Sequence, residues 1–118
     1  MRMRTHLYAE NAYPKVEAIK NASIEAKYRT LALSFPALIM QGGLAQAIGF
    51  LMAKNEAEHK TYLQHLVELL DNGNPDYKIF HQRILRSDIH EYQLLSRKAL
   101  DASAWLKRYT QALLEKTE

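Results

Sequence analysis

The chain has 118 residues, 47% of them hydrophobic and 25% charged, with a net charge of +3 and no cysteine. That suffices for one domain burying about two thirds of its unfolded surface, so residues 1–118 require no second core. The missing cysteines exclude a disulfide framework and thiolate metal sites and fit a reducing compartment. The opening MRMRTHLYAENAYPK has no apolar signal run, so a cytoplasmic protein is expected.

Charge is distributed in blocks. Residues 1–30 carry six Lys/Arg against three Glu, residues 54–76 two against five acids, and residues 77–118 eight against five acids. A basic, acidic and basic succession suits an anionic partner and a complementary protein neighbour, although solvated helix faces also cluster charge.

Arg2 to Lys20 reads as a helix with Tyr8, Ala12, Val16 and Ile19 on one stripe, kinked or divided at Pro14, and Arg2, Arg4 and His6 make its start positive. Asn21 to Ser23 predicts a break before a helix carrying Ile24, Tyr28, Leu31, Ala32 and Phe35, flanked by Lys27 and Arg29. Leu31 to Ala53 then contains no charged residue. Pro36, Ser34, Gln41, Gln46 and the Gly42-Gly43 pair argue against a bilayer span, so this stretch is predicted as a buried helical hairpin. Pro36 is expected to end one helix near Ser34 and to start another, which the glycine pair then reverses. Leu44, Ala47, Ile48, Leu51 and Met52 follow at helical spacing.

Asn55-Glu56-Ala57-Glu58 has the form of a capping box for a helix reaching Leu70, with Leu63, Leu66, Val67 and Leu70 inward. Asp71 to Pro75 is the strongest breaker, and Pro75 is predicted to open a short helix to Arg86 with Phe80 and Ile84 buried. Asp88 and Glu91 cap the last and longest helix, whose stripe is Ile89, Tyr92, Leu95, Ala99, Ala102, Leu106, Tyr109 and Leu113. No period-2 run or internal repeat competes, so the prediction is an all-α, single-domain bundle of five to six helices around a central buried helical hairpin.

Catalytic patterns are sparse. Glu56 and His59 have the Glu-x-x-His spacing of carboxylate-bridged di-iron bundles, but such sites need a second copy and two further Glu, so no metal or other cofactor is expected. His90-Glu91 lacks the second His of a zinc-protease helix, because position 94 is Leu. No Gly-x-Ser-x-Gly, Walker loop or dinucleotide fingerprint occurs, and no catalytic residue is assigned. What remains is basic and aromatic: Lys27 and Arg29 beside Tyr28, and Arg97, Lys98, Lys107 and Arg108 around Trp105. Lys98, Asp101, Trp105 and Arg108 fall on one helical ridge, where cation and indole can stack on each other or on a partner. A lone Trp beside an apolar stripe is also ordinary packing material.

Lys27-Tyr28, Pro36-Ala37-Leu38-Ile39, Gly43-Leu44 with Gln46-Ala47 and Phe50, Glu91-Tyr92, and Trp105-Leu106-Lys107-Arg108 together resemble the small all-helical subunit of the Cmr effector complex of type III-B CRISPR systems. The resemblance implies a non-catalytic structural subunit in antiviral defence, stacked in a short filament beside the backbone subunits, near the large subunit. The charge blocks themselves allow copies to stack head to tail, the helix from Glu56 to Asp71 of one against a basic face of the next. It would line the path of target RNA in a complex that also holds crRNA, with no membrane and no small-molecule substrate. The residues expected to meet RNA or the backbone are Lys27, Arg29, Arg97, Lys98, Trp105, Lys107 and Arg108. Two other readings are the equivalent small subunit of the type III-A complex and a small helical enzyme with a carboxylate–histidine metal site.

Overall fold

A computed structural model describes residues 3–71 and 76–115. Six helices follow in order: α1 (Arg4–Glu17), α2 (Glu25–Gly42), α3 (Leu44–Lys54), α4 (Ala57–Leu70), α5 (Tyr77–Arg86) and α6 (Ile89–Leu113). Among the described residues there is no strand, so the all-α bundle is as the sequence predicts. The molecule measures 41 × 37 × 24 Å, and its thin dimension is that of two helix layers.

The stripes close one core. Tyr8, Ala12, Val16 and Ile19 from α1 and the turn after it are buried together with Tyr28, Leu31, Ala32, Phe35 and Ile39 of α2. Leu44, Ala47, Ile48 and Leu51 of α3, Tyr62, Leu63, Leu66 and Val67 of α4, and Phe80 and Ile84 of α5 join them. α6 contributes Leu95, Ala99, Ala102 and Leu106 and packs against α1, α2, α3 and α4. Leu38, Leu70, Tyr92 and Tyr109 are half-buried against this core. Ile89, counted inward from its spacing, is the first residue of α6 and is 67% exposed.

Three local expectations are corrected. Pro36 does not divide the chain; it lies inside a continuous α2. An interior proline costs a helix about 3 kcal/mol, but burying Leu31, Phe35 and Ile39 contributes about 1.5–3 kcal/mol each, so packing outweighs the local preference. Ser34 Oγ also donates to the carbonyls of Thr30 and Leu31, both at 3.2 Å, in the turn before the proline, whose missing N–H falls on the carbonyl of Ala32. The hairpin survives with its turn at Gly43, whose φ of 87° is open to glycine at little cost.

The second correction concerns the start of α4, where no side chain makes a capping hydrogen bond. Asn55 ends α3 in the left-handed region at φ 52°, and Glu56 takes the cap position. Asn tolerates that conformation, so the residue read as a cap serves instead as the reversal between two helices. Third, α1 runs unbroken through Pro14 and stops at Glu17, short of Lys20; Arg2 lies outside the described residues. The break that follows is as expected, with Asn21 left-handed at φ 66°.

Asp88 caps α6 as predicted, accepting from the Glu91 N–H at 2.8 Å, whereas the Glu91 carboxylate does not return to Asp88 but lies 3.7 Å from Arg83. The expectation for Pro75 lies outside the described residues. Asp76 caps α5 by accepting from the N–H groups of Lys78 and Ile79.

Candidate nucleic-acid interface

Tyr28 separates the two α2 cations. Its ring is fully buried, and its hydroxyl lies 2.8 Å from His65 Nδ1, so it offers no stacking face to a partner. Helical geometry sets Lys27 and Arg29 about 200° apart on either side of that inward residue. Lys27 is exposed and lines a cleft between α2 and the α3–α4 junction. Arg29 is half-buried, and its Nε has no hydrogen-bond partner among the described residues.

On α6 the predicted cations diverge. Arg97 is exposed beside Tyr92, Gln93 and Ser96 in a shallow depression. Lys98 is half-buried in a groove of about 520 Å³, with Arg4, Tyr8, Asn11 and Lys15 of α1 and Glu68 of α4. Lys107 is half-buried and Arg108 exposed. The structure thus brings Lys98 together with Arg4 and Lys15 but places Lys27 and Arg97 at separate locations. Arg4 was legible only as part of a positive start, and Lys15 was missed, because the pairing of α1 with α6 is a tertiary fact without a local signal.

Ion pairing sorts these cations. Arg4 Nε lies 3.9 Å from Asp101, Lys15 Nζ 3.4 Å from Glu68, and Arg83 lies 4.0 Å from Asp71 and 3.7 Å from Glu91. Lys27, Arg29, Arg97, Lys98, Lys107 and Arg108 form no ion pair among the described residues. A cation without an internal partner keeps its charge available to an external anion such as a phosphate.

Trp105 faces the protein. Its indole N–H donates to Thr5 Oγ1 at 2.7 Å, and the Thr5 hydroxyl donates to Asp101 Oδ1 at 2.9 Å. The ring also lies 5.6 Å from that of Tyr109, which meets Tyr13 edge-on at 5.2 Å. This relay joins α1 to α6 and engages Asp101 and the indole N–H, while the Trp105 ring is half-buried.

A second cluster lies at the start of α4. One carboxylate oxygen each of Glu56 and Glu58 and a ring nitrogen of His59 lie within 4.8 Å of one another. Glu58, read from sequence only as a capping residue, is 8% exposed and has its Oε2 3.6 Å from His59 Nδ1.

Residues 4–113 match the model of a family described as CRISPR-associated protein (Cas_Cmr5). The chain is 33% identical over 115 residues to the CRISPR system Cmr subunit Cmr5 of Thermus thermophilus, covering 98% of this chain and 99% of that protein. Its fold is similar to the X-ray crystal structure of a CRISPR-associated Cmr5 family protein from the same organism. The TM-score is 0.90 at 33% identity, over 98% of this chain and 100% of that one.

Proposed function

Because the chain belongs to the Cas_Cmr5 family of CRISPR-associated proteins, we propose that it is the small subunit of a type III-B CRISPR (Cmr) effector ribonucleoprotein. In this reading it is a non-catalytic, cytoplasmic component that stacks along the backbone subunits near the large subunit and lines the path of target RNA beside the crRNA. The observation that carries the reading is the likeness to a Cmr subunit along the whole chain, in sequence and in fold. It favours the type III-B assignment over the type III-A one. No helix among the described residues is long and apolar enough to cross a membrane.

The proposed RNA contacts are Lys27, Arg29, Arg97, Lys98, Lys107 and Arg108, with Trp105 holding the ridge of α6 in place. Cations dispersed over several faces suit phosphates rather than bases, so the contact is indifferent to sequence. A net charge of +3 makes one copy a weak binder, and several copies along one strand a useful one. Head-to-tail stacking gains little from the acids of α4, since Glu58 is buried and Glu68 is paired with Lys15. Ile79, Leu85 and Ile89, each more than half exposed, supply apolar area for such a contact.

The test is the RNA affinity of the assembled complex against salt, with and without Lys98→Ala and Arg108→Ala. Each lost phosphate contact should lower the salt slope by about 0.7 on single-stranded RNA. Wild-type affinity and slope in both variants, with normal incorporation, would remove these residues from the RNA path. Failure of the chain to co-purify with a multi-subunit ribonucleoprotein from its host would remove the assignment itself.

A further inference from the structure

We propose that Glu56, Glu58 and His59 form a binding site for a divalent transition-metal ion, with Zn²⁺ the best match to its donors. The inference goes beyond the RNA-path reading and does not rest on it.

The backbone gathers the donors. Left-handed Asn55 turns the chain straight from α3 into α4, which sets Glu56 at the cap and Glu58 and His59 in the first turn. The three ligating atoms already lie within 4.8 Å of one another. Ligand atoms about an ion with bonds of about 2.1 Å stand roughly 3.4 Å apart in tetrahedral geometry. Rotation of the exposed Glu56 side chain can supply the remaining closure.

Among the described residues, Glu58 and His59 pair with each other rather than with an outside charge. Neither glutamate caps α4 through its side chain. His59 is 9% exposed, and its Nδ1 is buried without a hydrogen-bond partner; at 3.6 Å the Glu58 carboxylate is too distant to be one. Buried ring nitrogens are ordinarily satisfied, and this one lies beside the Glu58 carboxylate. Phe50 meets the His59 ring edge-on at 5.6 Å and fixes its tilt. A cleft of about 480 Å³, lined by Lys27, Thr30, Ser34 and these donors, leaves room for an ion and its waters.

Electrostatics is mixed. The amino end of α4 and Lys27 oppose a cation, so the site needs both carboxylates to hold one. One imidazole with two carboxylates suits Zn²⁺, whereas Mg²⁺ prefers oxygen ligands and retains its water. Sequence spacing alone left Glu56 and His59 incomplete, because the third donor adjoins His59 and belongs to no i, i+3 pattern.

The experiment uses the untagged, metal-stripped full chain, titrated with ZnCl₂ by calorimetry while the thermal midpoint is followed. Wild type should bind one equivalent with a rise in midpoint, and MgCl₂ at the same concentration should leave the midpoint unchanged. Glu56→Gln, an exposed change compatible with folding, and His59→Gln should each weaken Zn²⁺ binding at least about tenfold. Absence of binding to wild type, or wild-type affinity in a folded Glu56→Gln variant, overturns the proposal.

Discussion

The phenol oxygen of Tyr92 accepts a hydrogen bond from the backbone N–H of Ala45 at 3.2 Å, tying the first turn of α6 to the first turn of α3. It satisfies one of the donors that a helix start leaves over, at a place where no α3 side chain does so. Tyr92→Phe should cost about 1–2 kcal/mol in urea unfolding. Gly43 stands beside this bond: a Cβ there would lie 3.0 Å from the phenol oxygen, on a backbone at φ 87°. Gly43→Ala should therefore destabilise by about 1–3 kcal/mol, and a neutral result would mean that the hairpin turn can relax.

Pro36→Ala should stabilise the protein by about 1–3 kcal/mol. The helix is already continuous through this position, so alanine restores a backbone donor and removes a ring clash. A lower midpoint by circular dichroism would show that α2 needs the proline's bend to pack.

His65 gives the fold a pH dependence. Burial, aided by the charge of Lys15, lowers its pKa to about 4 from an ordinary 6.5. Between these values the unfolded chain binds the proton and the folded chain does not. The contribution is fully present above pH 6.5, declines as the pH falls, and is lost below about pH 4. Denaturant unfolding across that window should lose up to about 3 kcal/mol, and His65→Gln should flatten the profile.

Thr5→Val removes the hydroxyl shared by Asp101 and Trp105 and should cost about 1–3 kcal/mol. RNA affinity of the assembled complex should hold in this variant, since Lys98 and Arg108 remain. A loss of RNA binding with unchanged stability would give Trp105 an outward role.

Leu51→Ala, at a side chain 1% exposed in the hairpin, should cost about 2–5 kcal/mol. A cost below about 1 kcal/mol would mean that the surrounding helices collapse onto the gap.

Leu95, Ala99, Ala102 and Leu106 were legible because one helix carries its own period, and no partner need be known to read it. Pro36 misleads for the opposite reason: its local rule is sound, but the apolar residues on either side are buried on other helices and decide the matter. The candidate interface follows the same division. Sequence names the cations of α6, while the groove that gathers Lys98 with Arg4 and Lys15 exists only once α1 has docked. Glu58 adjoins His59 in the chain, and only the turn at Asn55 shows that the two share a corner with Glu56.

The packing of α1 on α6 joins helices from opposite ends of the described sequence. During synthesis at about 5–20 residues per second, α1 is made roughly 5–20 seconds before the end of α6 exists. For that interval Tyr8, Ala12 and Val16 lack the part of their cover that α6 supplies, and the Thr5 hydroxyl lacks its indole partner. The nascent chain is therefore open to early capture by chaperones or by neighbouring chains at α1, and closure of the bundle waits on its last helix.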